Sequence, residues 1–328
     1  MKKTLLKTFY KLGAFAPFHR TTRGKILILT YHRFSRETNP AKTSAGEFAA
    51  HLAYLKKHNR VLSLSEAAEY LESGKPVPRG ATVITIDDGY ADAYEVAFPL
   101  LKKYDFPATL FAVTDFLDGK LWIWTDLMRF VLSETKKDFV SVKFENGEKI
   151  EAVLSDAQQR LATASRVNSR LKKLPNEFKE AKIREIAEDL AVKIPALPTA
   201  GYAPVSWAQA REMDATNLRV ESHTVTHPIL TNVNQAQLDY ELQTSKKRLE
   251  NILGRAVENF CYPNGSQNSA VWQSVKNSGY KSAVTTDYGF NGAEENPFLL
   301  NRIDAQSAIE NFAQSVSGFE WIKQNVRN

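Results

Sequence analysis

Short apolar runs alternate with helical patterns along most of this chain. Seven runs rich in apolar or β-branched residues are bounded by turn residues and predict strands at 27–32, 82–86, 109–113, 219–222, 260–262, 282–285 and 299–303. Six segments between them space their apolar residues as helices do, at 47–58, 65–71, 91–104, 207–213, 235–253 and 269–277. Buried strands that alternate with helices indicate a parallel sheet. About seven such units predict an α/β fold, a (β/α) barrel that is complete or nearly so.

One segment, residues 118–200, breaks this alternation. It starts with the aromatic pair Trp122 and Trp124, passes through a polar, hairpin-like piece at 140–153, and continues as charged helical sequence at 156–192. We interpret it as an insertion over one end of the barrel, because a connection of this length in a compact domain is usually structured and often functional. The predicted organisation is therefore an N-terminal segment, 1–24, and one domain, 25–328, that contains the insertion.

The first 16 residues have an amphipathic pattern. The apolar face of the predicted helix consists of Leu5, Leu6, Phe9, Leu12 and Ala16, and the basic face consists of Lys3, Lys7 and Lys11. Three interpretations stay open: a cap on the protein's own barrel, a contact with an anionic membrane surface, and a secretory signal. Gly13 and Pro17 interrupt the apolar core that a signal needs. We expect a cytoplasmic protein or one peripheral on the inner membrane face, with export left open.

Composition excludes several classes of protein. The 328 residues are 43% hydrophobic and 24% charged, as in ordinary globular proteins, and no run approaches the roughly 18 apolar residues of a membrane span. The single cysteine, Cys261, cannot form an internal disulfide. The net charge is +6, and residues 1–60 hold 13 Lys and Arg against two acids. No nucleic-acid-binding signature accompanies these basic residues, so we expect no nucleic-acid partner.

Two carboxylates directly follow the strand predicted at 82–86. Asp87 and Asp88 precede Gly89, and a turn at the glycine can bring both side chains into one pocket. Because barrel active sites lie at the carboxyl ends of strands, the pair is a candidate for catalysis. The simpler alternative is that one aspartate only caps the helix that begins near residue 91.

Two histidines follow the strand predicted at 219–222. The spacing of His223 and His227 places both imidazoles on one side of a helical turn, where one ion can bind them. Two imidazoles and a distant aspartate leave coordination positions open for water and substrate, which is typical of catalytic zinc. A third segment, 260–265 (FCYPNG), runs from a strand into a Pro/Gly turn and is a weak signal by itself.

In this order, segments 85–89, 222–228 and 260–265 resemble the motifs of the polysaccharide deacetylases of the NodB-homology group, carbohydrate esterase family four. The resemblance extends over residues 25–115 and 205–305. It implies a distorted (β/α)7 barrel in which Asp88, His223 and His227 bind one divalent ion and Asp87 is the general base. The implied ion is Zn²⁺, with Co²⁺ or Ni²⁺ as substitutes.

The family's general acid is usually a histidine near the C-terminus, but no histidine follows His227 here. Residues 31–33 (YHR) resemble the Tyr-His element of the biofilm poly-N-acetylglucosamine deacetylases, in which a permuted barrel supplies the acid from the front of the chain. We therefore assign the acid to His32. The alternative is a structural histidine at a strand end.

Five further residues belong to the expected site. Many family members have an arginine in the third motif that contacts the base. This chain has Cys261 in that segment instead, and Arg302 on a late strand is the expected replacement. The backbone N–H of Tyr262 matches the position that stabilises the oxyanion in relatives. The candidate substrate-binding residues are Trp122, Trp124 and Tyr90.

These assignments predict an enzyme, a metal-dependent N-deacetylase of an amino-sugar polysaccharide or of its lipid-linked precursor. Its expected partner is an N-acetylated glycan or glycolipid, with peripheral membrane contact through residues 1–16. Two alternatives stay open: a deformylase or deacetylase of a small lipid-linked sugar, and an inactive glycan-binding module on the same barrel. The presence of Asp87 and His32 argues against the inactive module, because binding alone needs neither.

Overall fold

The computed structural model describes residues 2–319, so Met1 and residues 320–328 of the predicted domain lie outside the described residues. The strands are β1 (Leu27–Tyr31), β2 (Phe34–Ser35), β3 (Thr43–Ser44), β4 (Arg60–Leu62), β5 (Ala81–Ile86), β6 (Ala108–Ala112), β7 (Phe139–Lys143), β8 (Lys149–Val153), β9 (Leu218–Ser222), β10 (Asn259–Cys261), β11 (Ser282–Tyr288) and β12 (Leu300–Asp304). The α-helices are α1 (Lys2–Lys11), α2 (Ala45–His58), α3 (Leu64–Ser73), α4 (Phe98–Tyr104), α5 (Thr114–Leu117), α6 (Trp124–Glu134), α7 (Ala157–Leu171), α8 (Asn176–Asp189), α9 (Trp207–Asp214), α10 (Gln235–Leu253), α11 (Ser269–Asn277) and α12 (Ile309–Val316).

Seven parallel strands of the described chain close into a barrel. Around the ring they run β1, β5, β6, β9, β10, β11 and β12, and β12 pairs back onto β1. The short strand β4 pairs with the first half of β5, beside the ring. These are the seven strands that the apolar runs predict, so the predicted barrel is confirmed. Strands β1, β5 and β6 are buried at every position, which explains their continuous apolar sequence.

The helix predicted at 91–104 is present, with one irregular turn. Residues 91–92 are α-helical, a π-helical turn follows at Ala93–Ala97, and the α-helix resumes in α4. Pro99 has no N–H to donate to the carbonyl four residues earlier, and the preceding residue, Phe98, donates instead to the carbonyl of Ala93, five residues back. The wider turn therefore accommodates the proline without ending the helix.

The insertion between β6 and β9 has a hydrophobic core of its own. Helices α6, α7 and α8 and the antiparallel β7–β8 hairpin bury a cluster separate from those of the barrel. The contacts that attach it to the carboxyl end of the barrel include one ion pair and one pair of hydrogen bonds. Arg33, just after β1, pairs with Asp126 of α6 at 3.1 Å. Asn176 of α8 exchanges hydrogen bonds of 3.1 and 3.2 Å with the backbone of Ile229.

Helix α1 packs on the barrel through one edge of its predicted apolar face. Leu6 and Tyr10 lie against the barrel core, whereas Leu5, Phe9 and Leu12 are 56%, 41% and 76% exposed. At about 100° per residue, Leu6 and Tyr10 lie beside Leu5, Phe9 and Leu12 on the helix, so the barrel covers only one edge of the apolar face. The helix ends at Lys11, before Ala16 of the predicted face. The side chains of Lys3 and Ala16 lie outside the described ones. Among residues 2–319, no helix combines the length and apolarity needed to cross a bilayer.

A buried histidine links the first strand to two helices. The Tyr31 hydroxyl lies 3.1 Å from Nδ1 of His51, and Nε2 lies 3.1 Å from the carbonyl of Ser307. A carbonyl can only accept, so Nε2 carries the proton and Nδ1 accepts from the hydroxyl. The ring also stacks on Phe312, with the centroids 4.0 Å apart. Burial lowers the pKa of His51 to about 4, so the neutral ring is the folded form at neutral pH.

We expect His51 to make folding stability sensitive to mild acid. The unfolded chain binds this proton below about pH 6.5, and the folded chain binds it only below about pH 4, so protons favour unfolding between these values. The free energy of unfolding should fall by up to about 3 kcal/mol across this window. Denaturant titrations of wild type and His51→Gln from pH 7.5 to 4 check this. Identical pH dependence in both proteins would contradict it.

Candidate active site

The carboxyl ends of five barrel strands bring the predicted site residues together. The residues and the strands that position them are His32 after β1, Asp87 and Asp88 after β5, His223 and His227 after β9, Cys261 at the end of β10, and Arg302 in β12. Every one of these side chains except His32 is buried. A cluster of buried carboxylates, imidazoles and a guanidinium at this end of a barrel indicates a catalytic centre.

Asp87 forms a bidentate ion pair with Arg302. The two guanidinium nitrogens lie 2.8 and 2.7 Å from the carboxylate oxygens, and Arg302 is fixed in turn by the carbonyl of Thr285 and the hydroxyl of Thr85. Burial opposes ionisation of Asp87, but the charge and hydrogen bonds of Arg302 outweigh it and lower the pKa of the carboxyl. Asp87 is therefore ionised at neutral pH. Arg302 contacts Asp87 as the sequence analysis expects, and the role of Asp87 as the general base stays a prediction.

Asp88, His223 and His227 face one another with their ligand atoms converging. Oδ1 of Asp88 lies 3.6 Å from Nε2 of His223 and 3.5 Å from Nε2 of His227. These separations are long for hydrogen bonds. Two ligand atoms that each lie about 2.1 Å from a tetrahedral zinc ion are about 3.4 Å apart, so the three side chains fit one such ion. Burial and the neighbouring His223 lower the pKa of His227 to about 4, which leaves its imidazole neutral and able to bind a metal.

The loop that carries the two histidines is not helical, so the predicted helical turn is wrong. Thr224 and His227 have left-handed backbone angles, with φ of 74° and 59°. Nδ1 of His223 donates to the carbonyl of Cys261 at 2.7 Å, since a carbonyl only accepts, and this bond holds the ring with Nε2 toward Asp88. Nδ1 of His227 has no hydrogen-bond partner among the described residues.

A second set of ligand atoms overlaps the first. Asp87, His223 and Cys261 also lie within 4.8 Å of one another. However, both oxygens of Asp87 are bound by Arg302, and the Cys261 sulfur lies 3.2 Å from the same guanidinium. The positively charged Arg302 guanidinium therefore already binds two members of this set, and it would repel a metal ion there. The Asp88 set is the better metal site.

His32 is the accessible member of the cluster. Its Nε2 lies 3.7 Å from Oδ2 of Asp87, and the side chain is 49% exposed. A general acid must lie within hydrogen-bond reach of the group that it protonates. His32 lies beside Asp87 on the accessible side of the cluster, and its role as the acid stays a prediction.

The oxyanion donor expected at Tyr262 already has a partner. Its backbone N–H donates to the carbonyl of Val284 at 3.3 Å, and its hydroxyl donates to the carbonyl of Phe298. The side-chain amide of Asn264, two residues on, has a buried nitrogen without a partner in the described part of the chain. Asn264 is thus a second available donor in the same loop, and the role of Tyr262 stays a prediction.

The three candidate substrate-binding aromatics differ in their surroundings. Tyr90 is 1% exposed, with the Arg33 guanidinium 3.8 Å from its ring centroid. The indole N–H of Trp122 donates to the carbonyl of Pro195 at 3.1 Å. Trp124 has a buried indole nitrogen with no partner among residues 2–319, and the Lys179 ammonium lies 5.5 Å from its ring. Tyr90 and Trp122 thus have structural contacts of their own, and all three binding roles stay predictions.

Besides Asn264, two contributors to the site were not predicted from the sequence. One is the Cys261 sulfur, which lies 3.5 Å from Oδ2 of Asp87. The other is Glu241 of α10, which accepts hydrogen bonds from the histidine loop. A signal for Glu241 exists in the sequence, because it is an acidic residue on the apolar stripe of α10 between Leu238 and Leu242.

Residues 74–195 and 196–283 match the family described as polysaccharide deacetylase. The chain belongs to this family. It is a hydrolase of the carbohydrate esterase family four type, and the resemblance carried by the aspartate and histidine motifs is confirmed. The chain is 22% identical over 280 residues to YxkH of Bacillus subtilis (strain 168), and this match covers 85% of this chain and 71% of YxkH.

Three further similarities are to one relative in sequence and to two solved structures in fold. The chain is 33% identical over 100 residues to the poly-beta-1,6-N-acetyl-D-glucosamine N-deacetylase of Staphylococcus aureus (strain MSSA476), a match over 30% of this chain and 34% of that relative. Its fold is similar to that of the Streptococcus pyogenes deacetylase PplD, with a TM-score of 0.60 and 22% identity over 90% of this chain and 99% of PplD. Its fold is also similar to that of IcaB from Ammonifex degensii, with a TM-score of 0.57 and 19% identity over 89% of this chain and 97% of IcaB.

Proposed function

We propose that this polysaccharide deacetylase is metal-dependent and removes N-acetyl groups from an amino-sugar polysaccharide or its lipid-linked precursor. The observation that carries the proposal is the Asp88, His223 and His227 set beside the Asp87–Arg302 pair. The 33%-identical stretch of a relative named for poly-N-acetyl-glucosamine supports the amino-sugar substrate. Zn²⁺ bound to this set would polarise the amide carbonyl and lower the pKa of a water molecule from about 15.7 toward about 7.

The chain's own residues divide the remaining chemistry. Ionised Asp87 accepts the proton of the attacking water, and Arg302 holds its carboxylate in place. The tetrahedral oxyanion needs an N–H donor. The loop offers the Asn264 amide, which has no partner among the described residues, and the Tyr262 backbone N–H, which would first have to leave the Val284 carbonyl. His32 then donates a proton to the departing amine nitrogen as the C–N bond breaks. The products are acetate and a free amino sugar.

Acetate release tests this proposal. Oligomers of β-1,4- and β-1,6-linked N-acetylglucosamine are incubated with the protein before chelation, after chelation and after Zn²⁺ is restored. We expect release to stop on chelation and to return with the ion. If the protein still releases acetate when metal analysis detects no bound ion, the proposed metal dependence is overturned. Formate release from formylated sugars alone would favour the deformylase, and glycan binding without any release would favour the inactive module.

We expect His32→Ala to lower kcat/KM for N-acetylated glycans by about 10²–10⁴-fold while the metal content stays unchanged. An amine is a poor leaving group and needs the proton. An aryl acetate releases a stable phenolate, so its hydrolysis should fall much less. His58→Ala, at the far end of α2, is the matched control. Nearly wild-type deacetylation by His32→Ala would show that the acid is another group.

We also propose that α1 rests on an anionic membrane surface at the cytoplasmic face. Leu5, Phe9 and Leu12 form an exposed apolar stripe, and Lys7 and Lys11 are exposed on the same helix. No acidic residue occurs in the first 36 positions, so nothing in this segment repels anionic lipid. Exposed apolar and basic side chains on one helix are the combination that binds such surfaces.

Vesicle sedimentation tests the membrane contact. The full chain should sediment with vesicles that contain phosphatidylglycerol, and less with pure phosphatidylcholine, because the lysines need anionic lipid. Leu5→Ser combined with Phe9→Ser should reduce binding several-fold. Leu197→Ser, a leucine 58% exposed on the insertion, is the control. Equal sedimentation of the double variant and wild type would contradict the proposal. If the intact mass of the protein purified from its native cells corresponds to a chain that lacks residues 1–24, the segment is a cleaved export signal.

A further inference from the structure

We propose that Glu241 is a positioning residue that sets the geometry of the metal-binding histidine loop. This inference rests on the proposed function, because it concerns the loop that would hold the ion. Glu241 lies on α10, is 1% exposed, and touches neither the predicted ligands nor the expected substrate side. Its carboxylate is buried against the backbone between the two histidines.

The contacts of Glu241 hold this loop from one side. Oε2 accepts the backbone N–H groups of Val225 and Thr226 at 2.7 and 2.9 Å, and Oε1 accepts the Thr226 hydroxyl. One helical turn further along α10, Ser245 bonds the hydroxyl of Ser222 at 2.8 Å. The same helix therefore fixes the loop immediately before His223 and immediately before His227.

The loop needs such an anchor because its backbone is unfavourable. Thr224 and His227 both have left-handed φ angles, a region that residues other than glycine rarely occupy. From the opposite side, the N–H groups of Thr114 and Asp115 bond the carbonyls of Thr224 and Val225 at 3.1 and 3.0 Å. Without the carboxylate, the buried N–H of Val225 and the N–H of Thr226 lose their shared acceptor, and the loop is free to relax toward ordinary angles. The two Nε2 atoms would then no longer converge on Asp88.

A metal-affinity comparison tests the role of Glu241. Zn²⁺ affinity is measured by competition with a chromophoric chelator, and the ligand geometry is followed by the visible absorption of the Co²⁺-loaded protein. Glu241→Gln offers one acceptor oxygen and turns an NH₂ group toward backbone donors. We expect its affinity to fall by about 10–100-fold and its Co²⁺ spectrum to change. Circular dichroism of the metal-free proteins checks that the fold is retained.

Glu250→Gln is the matched control. This glutamate lies on the same helix, accepts the backbone N–H of Val257 at 3.0 Å and pairs with Lys246, away from the histidine loop. We expect its affinity and spectrum to equal those of wild type. An equal loss in both variants would overturn the inference, because the effect would then be that of a weakened α10.

Substitutions at Thr226 keep the test valid if Glu241→Gln does not fold. Thr226→Val removes one hydrogen bond to the carboxylate and should lower affinity several-fold, whereas Thr226→Ser keeps the hydroxyl and should restore it. If Glu241→Gln folds and binds Zn²⁺ with wild-type affinity, the inference is overturned. If Glu241→Gln does not fold, wild-type affinity in Thr226→Val overturns it. Absence of Zn²⁺ binding by wild type would instead overturn the proposed metal dependence, so the two failures are distinguishable.

Discussion

Replacing His223 with alanine is expected to abolish stoichiometric binding of the divalent ion and, with it, deacetylation. The substitution removes one of three converging ligand atoms. Loss of a hydrogen-bond partner of a metal ligand already costs about 10–100-fold in affinity, so loss of a ligand should cost more. Wild type should carry one ion per chain by metal analysis after dialysis, and the variant should carry far less.

Folding and binding must be separated in this experiment. His223→Ala leaves the Cys261 carbonyl without its donor, whereas the His227 ring makes no Nδ1 hydrogen bond to a described residue. His227→Ala therefore removes a ligand without breaking a hydrogen bond of its ring. Loss of metal by both variants, with metal-free unfolding transitions near that of metal-free wild type, supports the assignment. Full metal content in either variant would remove that histidine from the ligand set.

The barrel could be predicted because its strands are buried on both faces. A strand such as β5 is apolar or β-branched at all six positions, and its ends are marked by a turn and by Asp87. Short elements carry too few residues for such a pattern, so β4 and the two-residue strands β2 and β3 were not predicted. The π-helical turn before α4 depends on one proline inside an otherwise helical pattern.

The site was predictable where its residues are adjacent in sequence and less so where the fold joins distant ones. The aspartate pair and the histidine pair each follow a strand, so the strand order alone places them at one end of the barrel. Asp87 and Arg302 are 215 positions apart, and only the family resemblance suggested their contact. The support that Glu241 gives the histidine loop depends on how α10 packs, which periodicity does not specify.

Asp87→Asn is expected to keep the metal and lose hydrolysis. The amide cannot accept a proton from water at neutral pH, and loss of a general base typically costs about 10²–10⁴-fold in rate. Asp88→Asn should lose the metal, because Oδ1 of Asp88 is the oxygen that faces both imidazoles. Metal analysis and acetate release on both variants check these roles. Metal loss in Asp87→Asn with retention in Asp88→Asn would reverse them.

Asp87 also stabilises a buried charge, so the two consequences of its substitution must be told apart. In Asp87→Asn the Arg302 guanidinium keeps only one acceptor at this position, and breaking a buried ion pair costs about 3–5 kcal/mol of stability. If this were the only role of Asp87, the folded fraction of the variant would hydrolyse substrate at the wild-type rate. Chemical rescue decides the matter. In Asp87→Gly the missing side chain leaves room beside Arg302 for formate, which supplies a carboxylate base, and we expect acetate release to rise with formate concentration. Rescue of stability by formate without any rise in rate would identify Asp87 as a counter-ion of Arg302 and leave the general base to another group.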